Sequence, residues 1–337
     1  MEIASAHRIT QFLERREDWF EPFAVPPRDW PAPEQLHFGQ HLAPLVVLAD
    51  YRPGQGWSLP RVVPLADARA PVAGGGLQYG LSVFEGLKVY RDAEGEALLF
   101  RPRDHAARLT ASAARLGMPS VDEQLFLQAC RLAARIHQAF LPQPGRGSLY
   151  LRPTIYADEE ALGFRVSGRH QLAVSVMPCS DPQLKALSLW AEPELTRAAP
   201  GGLGAAKTGG NYAAGLLGML RAKEQGCDDV AWLDAATHTR LAEAGTMNLF
   251  VEIDGVWCTP PLDGTILAGL TRDSLIHLLR DQGLRVEERV LDLHELDALE
   301  RRGRVGAAIG TGTAARVVRI AEIRGPRHSL RFRDVGH

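Results

Sequence analysis

The chain has 337 residues, more than a single hydrophobic core usually serves, so we expect two domains. Its 45% hydrophobic and 23% charged residues are typical of a globular protein. The net charge of −2 argues against a basic surface for nucleic acid or an anionic membrane. No apolar run approaches the roughly 18 residues that a membrane span needs.

The four cysteines are widely spaced and form no Cys-x-x-Cys pair. This spacing predicts small buried thiols and no metal site. Residues 1–30 mix charges without an apolar centre, which is unlike a signal peptide. These features together indicate a reduced, cytoplasmic setting.

The first half predicts an N-terminal domain over residues 1–177. Residues 1–60 are rich in Pro and Trp and predict a wrapped extension with one strand. Further on, periodicity and turn residues predict two helices and a set of strands. The predicted strands are 44–49, two runs within 87–100 around a Gly95 turn, 148–157 and 170–177, and the helices are 104–116 and 122–140.

The second half predicts a linker over residues 178–188 and a second domain over 189–337. A glycine-rich loop at 201–210 leads into its first helix. Strands and helices intermix with hairpin signals, which favours the α+β class over a doubly wound sheet. The predicted helices are 211–225 and 271–282, and the strands are 229–233, 247–259 with a turn at Asp254-Gly255, 304–310 and 316–320.

Chemistry that needs an amine has four candidates, because the chain has only four lysines: Lys88, Lys185, Lys207 and Lys223. Lys207 opens the segment Lys-Thr-Gly-Gly-Asn-Tyr, whose glycines allow a ligand to approach the backbone closely. Tyr212 lies at the start of the next predicted helix and could bond a phenolate-like oxygen. On this segment alone, a solvated loop lysine stays open as an interpretation.

Several motifs occur in one order and together resemble the branched-chain aminotransferases, a fold-type-IV family. They cover roughly residues 36–322, which makes a chance match improbable. The motifs are Leu77-Gln-Tyr-Gly80, Phe84-Glu-Gly86, Phe100-Arg-Pro102, Leu149-Tyr-Leu-Arg-Pro153, Lys207–Tyr212, Glu243-Ala-Gly-Thr-Met-Asn248, Thr259–Gly269 and Gly310-Thr-Gly-Thr-Ala314.

The resemblance implies a two-domain fold with a smaller N-terminal α/β domain and a larger C-terminal domain with a β-barrel-like core. It also implies pyridoxal 5′-phosphate as cofactor, with Lys207 as the Schiff-base lysine. Glu243 matches the acid at the pyridine nitrogen, and Tyr212 matches the partner of the ring oxygen. The remaining cofactor-binding positions implied are Arg108, Thr246, Leu270, Thr271 and Thr313.

The same resemblance implies transamination between an apolar, branched-chain L-amino acid and 2-oxoglutarate, by a homodimer. Tyr150 and Arg152 are two residues apart on a strand and so share a face, where Arg152 can bind a carboxylate. The other substrate-binding positions implied are Phe38, Tyr79, Phe84, Leu162, Phe164, Thr313, Ala314 and Ala315. Core packing remains an alternative for the aromatic residues.

Other functions stay open at this point. Residues 310–315 spell Gly-x-Gly-x-x-Ala, the dinucleotide fingerprint of an oxidoreductase, although a strand-like run follows them. A fold-type-IV enzyme for D- or unusual amino acids, or a 4-amino-4-deoxychorismate lyase, would share Lys207 and Glu243. A non-catalytic cofactor-binding relative is the third class.

Overall fold

A computed structural model describes the backbone of residues 6–8, residue 36, and residues 38–180, 185–327 and 329–334. The chain forms two compact units, Met1–Pro182 and Gln183–His337. Of the extension predicted over residues 1–60, residues 1–5, 9–35 and 37 lie outside the described residues. No helix among the described residues is long and apolar enough to cross a membrane.

The first unit is built on a nine-stranded sheet. Its main path runs β1-β7-β6-β8-β9-β2-β3, with β4 on β2 and β5 on β8, and every pairing is antiparallel. The strands are β1 Ala6–Arg8, β2 Leu45–Arg52, β3 Gly56–Trp57, β4 Arg61–Pro64, β5 Ser82–Phe84, β6 Leu87–Arg91, β7 Ala97–Phe100, β8 Gly147–Ala157 and β9 His170–Ser180.

The helices of this unit supply much of its hydrophobic core. They are α1 Gly75–Gln78, α2 Pro102–Arg115 and α3 Glu123–Ile136, with 3-10 turns at Leu65–Asp67 and Gln138–Phe140. Asp122 begins α3 by accepting hydrogen bonds from the N–H groups of Gln124 and Leu125. Leu109 of α2 and Phe126 of α3 join Leu151 of β8 in one buried cluster. The helices therefore cover a face of the sheet and leave other strand residues for a site.

The second unit contains a closed barrel. Six strands pair in the ring β12-β11-β10-β17-β16-β13, and a β12–β13 pairing closes it. β14, β15 and β18 extend the sheet outside this ring. The elements are β10 Leu187–Ala191, α4 Gly209–Glu224, β11 Asp229–Leu233, β12 Leu241–Ala244, β13 Met247–Ile253, β14 Val256–Thr259, α5 Leu270–Asp281, β15 Arg285–Glu288, α6 Leu293–Glu300, β16 Val305–Gly312, β17 Arg316–Arg324 and β18 Ser329–Arg331.

The α+β class and the barrel-like core are confirmed, but some details differ from the sequence predictions. The predicted linker, residues 178–188, overlaps the end of β9 at Ser180 and the start of β10 at Leu187. Both of these strand ends are paired with neighbouring strands. The boundary between the units falls between these two strands.

The dinucleotide fingerprint at residues 310–315 has a different structure from the one it requires. It covers the end of β16, a turn and the approach to β17, and these two strands pair antiparallel. A dinucleotide site needs a helix directly after the glycines, with its N-terminus on the pyrophosphate. The hairpin therefore excludes this interpretation of the motif.

Candidate active site

Lys207 lies immediately before α4, in a loop that side-chain hydrogen bonds hold in place. Its Nζ donates a hydrogen bond to the Tyr212 hydroxyl at 2.7 Å. The buried Asn211 side chain fastens the loop by donating to the carbonyl oxygens of Leu203 and Ala206, at 2.6 and 2.8 Å. Gly204 is required, because a Cβ there would lie 2.3 Å from the Thr265 carbonyl oxygen. The loop thus presents an amine and a phenol side by side.

Glu243 occupies a buried position on β12, with 5% of its surface exposed. Its Oε1 accepts hydrogen bonds from the Leu267 N–H at 3.1 Å and from Asn248 Nδ2 at 3.3 Å. Its Oε2 forms an ion pair with Arg197, whose Nη2 lies 2.7 Å away. Asn248 is the register partner of Glu243 across β12 and β13, so barrel closure sets this geometry.

The charge state of Glu243 reflects two opposing influences. Burial raises the pKa of Glu243 above its ordinary value, since a charged carboxylate is poorly solvated there. The charge of Arg197, the Leu267 N–H and the charge of Lys207 each lower the pKa. Such a buried acid facing a lysine is a common feature of active sites.

A cavity of about 240 Å³ connects these groups. Four predicted cofactor residues line it together with Arg197: Lys207, Tyr212, Glu243 and Thr246. Its remaining lining includes apolar side chains such as Leu216, Met219 and Trp232. An amine, a phenol and a carboxylate around one cavity match the set of groups that a pyridoxal cofactor requires.

The other predicted residues of the second unit do not line this cavity. Leu270 and Thr271 open α5, whose N-cap Gly269 provides no side-chain hydrogen bond. A helix N-terminus of this kind favours an anion. Thr313, Ala314 and Ala315 form the turn between β16 and β17. Their predicted contacts with phosphate and substrate stay predictions.

The first unit brings four predicted substrate residues together on one face of its sheet. Arg152 on β8 donates to the Tyr150 hydroxyl at 3.2 Å. Its guanidinium carbon lies 4.6 Å from the centroid of the Phe84 ring. Phe38 packs edge-on against Tyr150, with ring centroids 4.8 Å apart. Gly86 leaves room for Tyr150, since a Cβ there would lie 1.6 Å from its hydroxyl.

Three further residues that were predicted to bind substrate lie together in a separate exposed region of this unit. The Tyr79 hydroxyl accepts a hydrogen bond from the Gly163 N–H at 3.2 Å. The Tyr79 and Phe164 rings meet edge-on with centroids 5.9 Å apart. Phe164 is 92% exposed and Leu162 is 69% exposed. The structure therefore places these apolar side chains on the surface of the unit.

Arg108, the predicted phosphate ligand, belongs to a buried charge cluster on α2. Its Nε and Nη2 donate to the two carboxylate oxygens of Glu85 at 2.6 and 2.9 Å. His105 Nδ1 lies 2.6 Å from the same carboxylate. Burial alone would raise the pKa of Glu85, but Arg108 and His105 bring it well below its usual range. This pairing fixes the direction of the Arg108 guanidinium.

The sequence does not identify four residues that form ion pairs or hydrogen bonds around the predicted site residues. Glu85 and Asn248 stand inside motifs that had been recognised, so their positions were visible although their roles were not. His105 is one turn before Arg108 on the same helix. Arg197 gave no signal, because it is one arginine among many on a loop.

Comparisons with known proteins agree with this geometry. The sequence profile described as "Amino-transferase class IV" matches residues 82–323. The branched-chain-amino-acid transaminase 1 of Bacillus subtilis is 39% identical over 300 residues, covering 88% of this chain and 84% of that protein. The chain belongs to the class IV aminotransferase family, in its branched-chain group.

Solved structures of this group share the fold. The branched-chain aminotransferase of Thermoproteus uzoniensis with norvaline has a TM-score of 0.71 and 26% identity, covering 86% of this chain and 90% of that one. The branched-chain amino acid aminotransferase of Escherichia coli has a TM-score of 0.69 and 28% identity, covering 82% and 88%. The fold of the chain is therefore that of the solved branched-chain enzymes.

Proposed function

We propose that this chain is a pyridoxal-phosphate-dependent aminotransferase that moves an amino group between a branched-chain L-amino acid and 2-oxoglutarate. The observation that carries the proposal is the single cavity shared by Lys207, Tyr212 and Glu243. The similar branched-chain enzymes support the substrate class.

Each side chain of the cavity has a definite task in this reaction. The cofactor, when bound, supplies an aldehyde and a protonated ring that withdraws electrons from the substrate Cα. Lys207 would hold the cofactor and, once its amine is free, would take the proton from the substrate Cα and deliver it to the cofactor carbon C4′. Glu243 holds the proton on the ring nitrogen, and Tyr212 orients the ring through its oxygen. Thr246 lines the same space and is proposed as a further cofactor contact.

We propose that the Tyr150 and Arg152 face recognises the carboxylate of glutamate or 2-oxoglutarate. A carboxylate that entered an apolar wall without a cation would lose its solvation, which costs several kcal/mol. An aliphatic side chain gains about 0.8 kcal/mol for each buried CH₂ and needs no cation. Arg152 beside Phe84, Phe38 and Tyr150 offers both environments.

A half-reaction panel tests the substrate class. The cofactor-loaded protein is mixed with single L- and D-amino acids, and the visible absorbance of the bound cofactor is followed. We expect rapid changes with L-leucine, L-valine and L-glutamate. Reaction with D-amino acids alone would contradict the proposal and favour the D-specific alternative, and no reaction with any amino acid would favour a non-catalytic relative.

The same panel on Arg152→Met separates the two substrates. We expect kcat/KM for glutamate to fall roughly 10²-fold, since a charge-assisted pair is lost, and leucine to suffer less. Arg61→Met is a matched control, because Arg61 forms an exposed ion pair with Asp50. Equal losses for leucine and glutamate would indicate a structural arginine, and no loss would remove Arg152 from the site.

We further propose that the enzyme works as a homodimer in the cytoplasm. The exposed apolar cluster of Tyr79, Leu162 and Phe164 supports a partner surface, and the four free buried cysteines support a reducing compartment. Light scattering at assay concentration should give twice the mass of the chain, 36.8 kDa. A fully active monomer would contradict the dimer.

A further inference from the structure

Arg197 is a charged residue on the wall of the candidate cofactor cavity. Its side chain is 10% exposed and its Nη2 donates both to Glu243 Oε2, at 2.7 Å, and to the Thr265 carbonyl oxygen, at 2.8 Å. Its buried Nε has no hydrogen-bond partner among the described residues. The guanidinium is therefore held at the Glu243 carboxylate by one charge-assisted ion pair and by one hydrogen bond to a backbone carbonyl oxygen.

The acceptor sites of Glu243 leave room for one more donor. A carboxylate offers about four lone-pair sites. Leu267 and Asn248 use two of them on Oε1, and Arg197 uses one on Oε2. The remaining site is on the oxygen that Arg197 holds, and Glu243 lines the cavity. Arg197 thus acts on the oxygen that can still accept a bond from a bound ring.

The surroundings of Glu243 show why this cation matters. Burial raises the pKa of the Glu243 carboxyl, and Arg197 is the largest opposing influence, ahead of Leu267 and Lys207. The other titratable groups on the cavity wall are Tyr212 and Asp229. Both are acids, so neither supplies a cation that could compensate for a lost Arg197, and burial raises the pKa of Asp229.

We infer that Arg197 is a positioning residue that keeps Glu243 ionised and aimed into the cavity, and thereby sets the charge on the ring nitrogen of the cofactor. The effect on the nitrogen rests on the proposed function. The effect on Glu243 does not, because it concerns two side chains of the cofactor-free protein. The effect of Arg197 on Glu243 and the proposed function can therefore be refuted separately.

The first experiment follows the Glu243 carboxyl in the cofactor-free protein. Infrared spectra of protein with isotope-labelled glutamate are recorded across pH for wild type, Arg197→Gln and Arg197→Lys, with Glu243→Gln identifying the Glu243 band. We expect the wild-type carboxyl to be ionised at neutral pH, its titration to move up by about 1–3 pH units in Arg197→Gln, and Arg197→Lys to restore most of the shift.

The second experiment uses the loaded enzyme and a cofactor labelled with ¹⁵N in its ring. The ¹⁵N chemical shift reports whether the nitrogen carries a proton. We expect a protonated nitrogen in wild type and Arg197→Lys, and a deprotonated one in Arg197→Gln. The half-reaction kcat of Arg197→Gln should fall about 10-fold or more, with a smaller change in KM, since the charge is needed in the transition state.

The outcomes separate the possible failures. An unchanged Glu243 titration in Arg197→Gln would overturn the inference, whatever the enzyme's activity. A wild-type Glu243 that is protonated at neutral pH would also overturn the inference. This measurement needs no variant, so it remains decisive even if Arg197→Gln does not fold. A shifted titration in a protein that binds no pyridoxal phosphate would leave the Arg197–Glu243 coupling standing and reject the proposed function.

Discussion

Lys207→Ala is expected to abolish transamination and the covalent attachment of the cofactor. The substitution removes the amine that donates to Tyr212 in the cavity. Without it, no group at that position can bond the cofactor aldehyde or transfer the proton at the substrate Cα. Some cofactor should stay bound without the covalent bond, because Glu243 and Tyr212 remain. Any turnover that remains should lie at least roughly 10²-fold below that of the wild type, a loss typical of removing a general base.

Borohydride reduction followed by peptide mapping checks the assignment of the amine. In the wild type the pyridoxyl label should appear on Lys207. Lys185→Ala is the matched control, because Lys185 is 78% exposed and pairs only at the surface with Asp228. This control should keep both label and activity. A label on Lys88, Lys185 or Lys223 would refute the assignment.

Local sequence signals predicted the elements that depend on neighbouring residues. The predicted N-cap at Asp122 and the predicted apolar face of α3 agree with the structure at the start of this helix. At its end the predicted helix ran to residue 140, whereas α3 ends at Ile136 and a 3-10 turn follows. The buried His137 ring bonds the Ala133 carbonyl oxygen there, a tertiary placement that periodicity does not reveal.

Features set by distant residues were not predicted. β12 has only four residues, too few for a pattern, yet its pairing with β13 closes the barrel and places Glu243 opposite Asn248. α6 and β15 were also missed. The ion pair of Arg197 with Glu243 joins residues 46 positions apart through the fold. The family motifs therefore pointed to Lys207 and Glu243, whereas the ion pair between Arg197 and Glu243 depends on the three-dimensional fold.

Glu243→Gln is expected to lower turnover by roughly 10² or more while the cofactor still binds. A neutral amide cannot hold the ring nitrogen proton, so the negative charge that develops at the substrate Cα loses its stabilisation. The isosteric side chain keeps its size, and its amide oxygen can still accept from the Leu267 N–H, but the NH₂ group that replaces Oε2 cannot accept from Arg197. Turnover is measured at saturating cofactor, with cofactor content determined separately.

The buried ion pair adds a stability effect that must be separated from the catalytic one. Removing one partner of a buried pair typically costs about 3–5 kcal/mol, because the other charge is left uncompensated. The hydrogen bond retained from the Leu267 N–H should keep the loss of unfolding free energy for Glu243→Gln at or below that range. The double variant Glu243→Gln, Arg197→Gln removes both charges, so it should recover stability in urea unfolding but not turnover. Recovery of both would show that the glutamate acts through folding, and near-wild-type turnover of the single variant at full cofactor occupancy would rule out its role at the ring nitrogen.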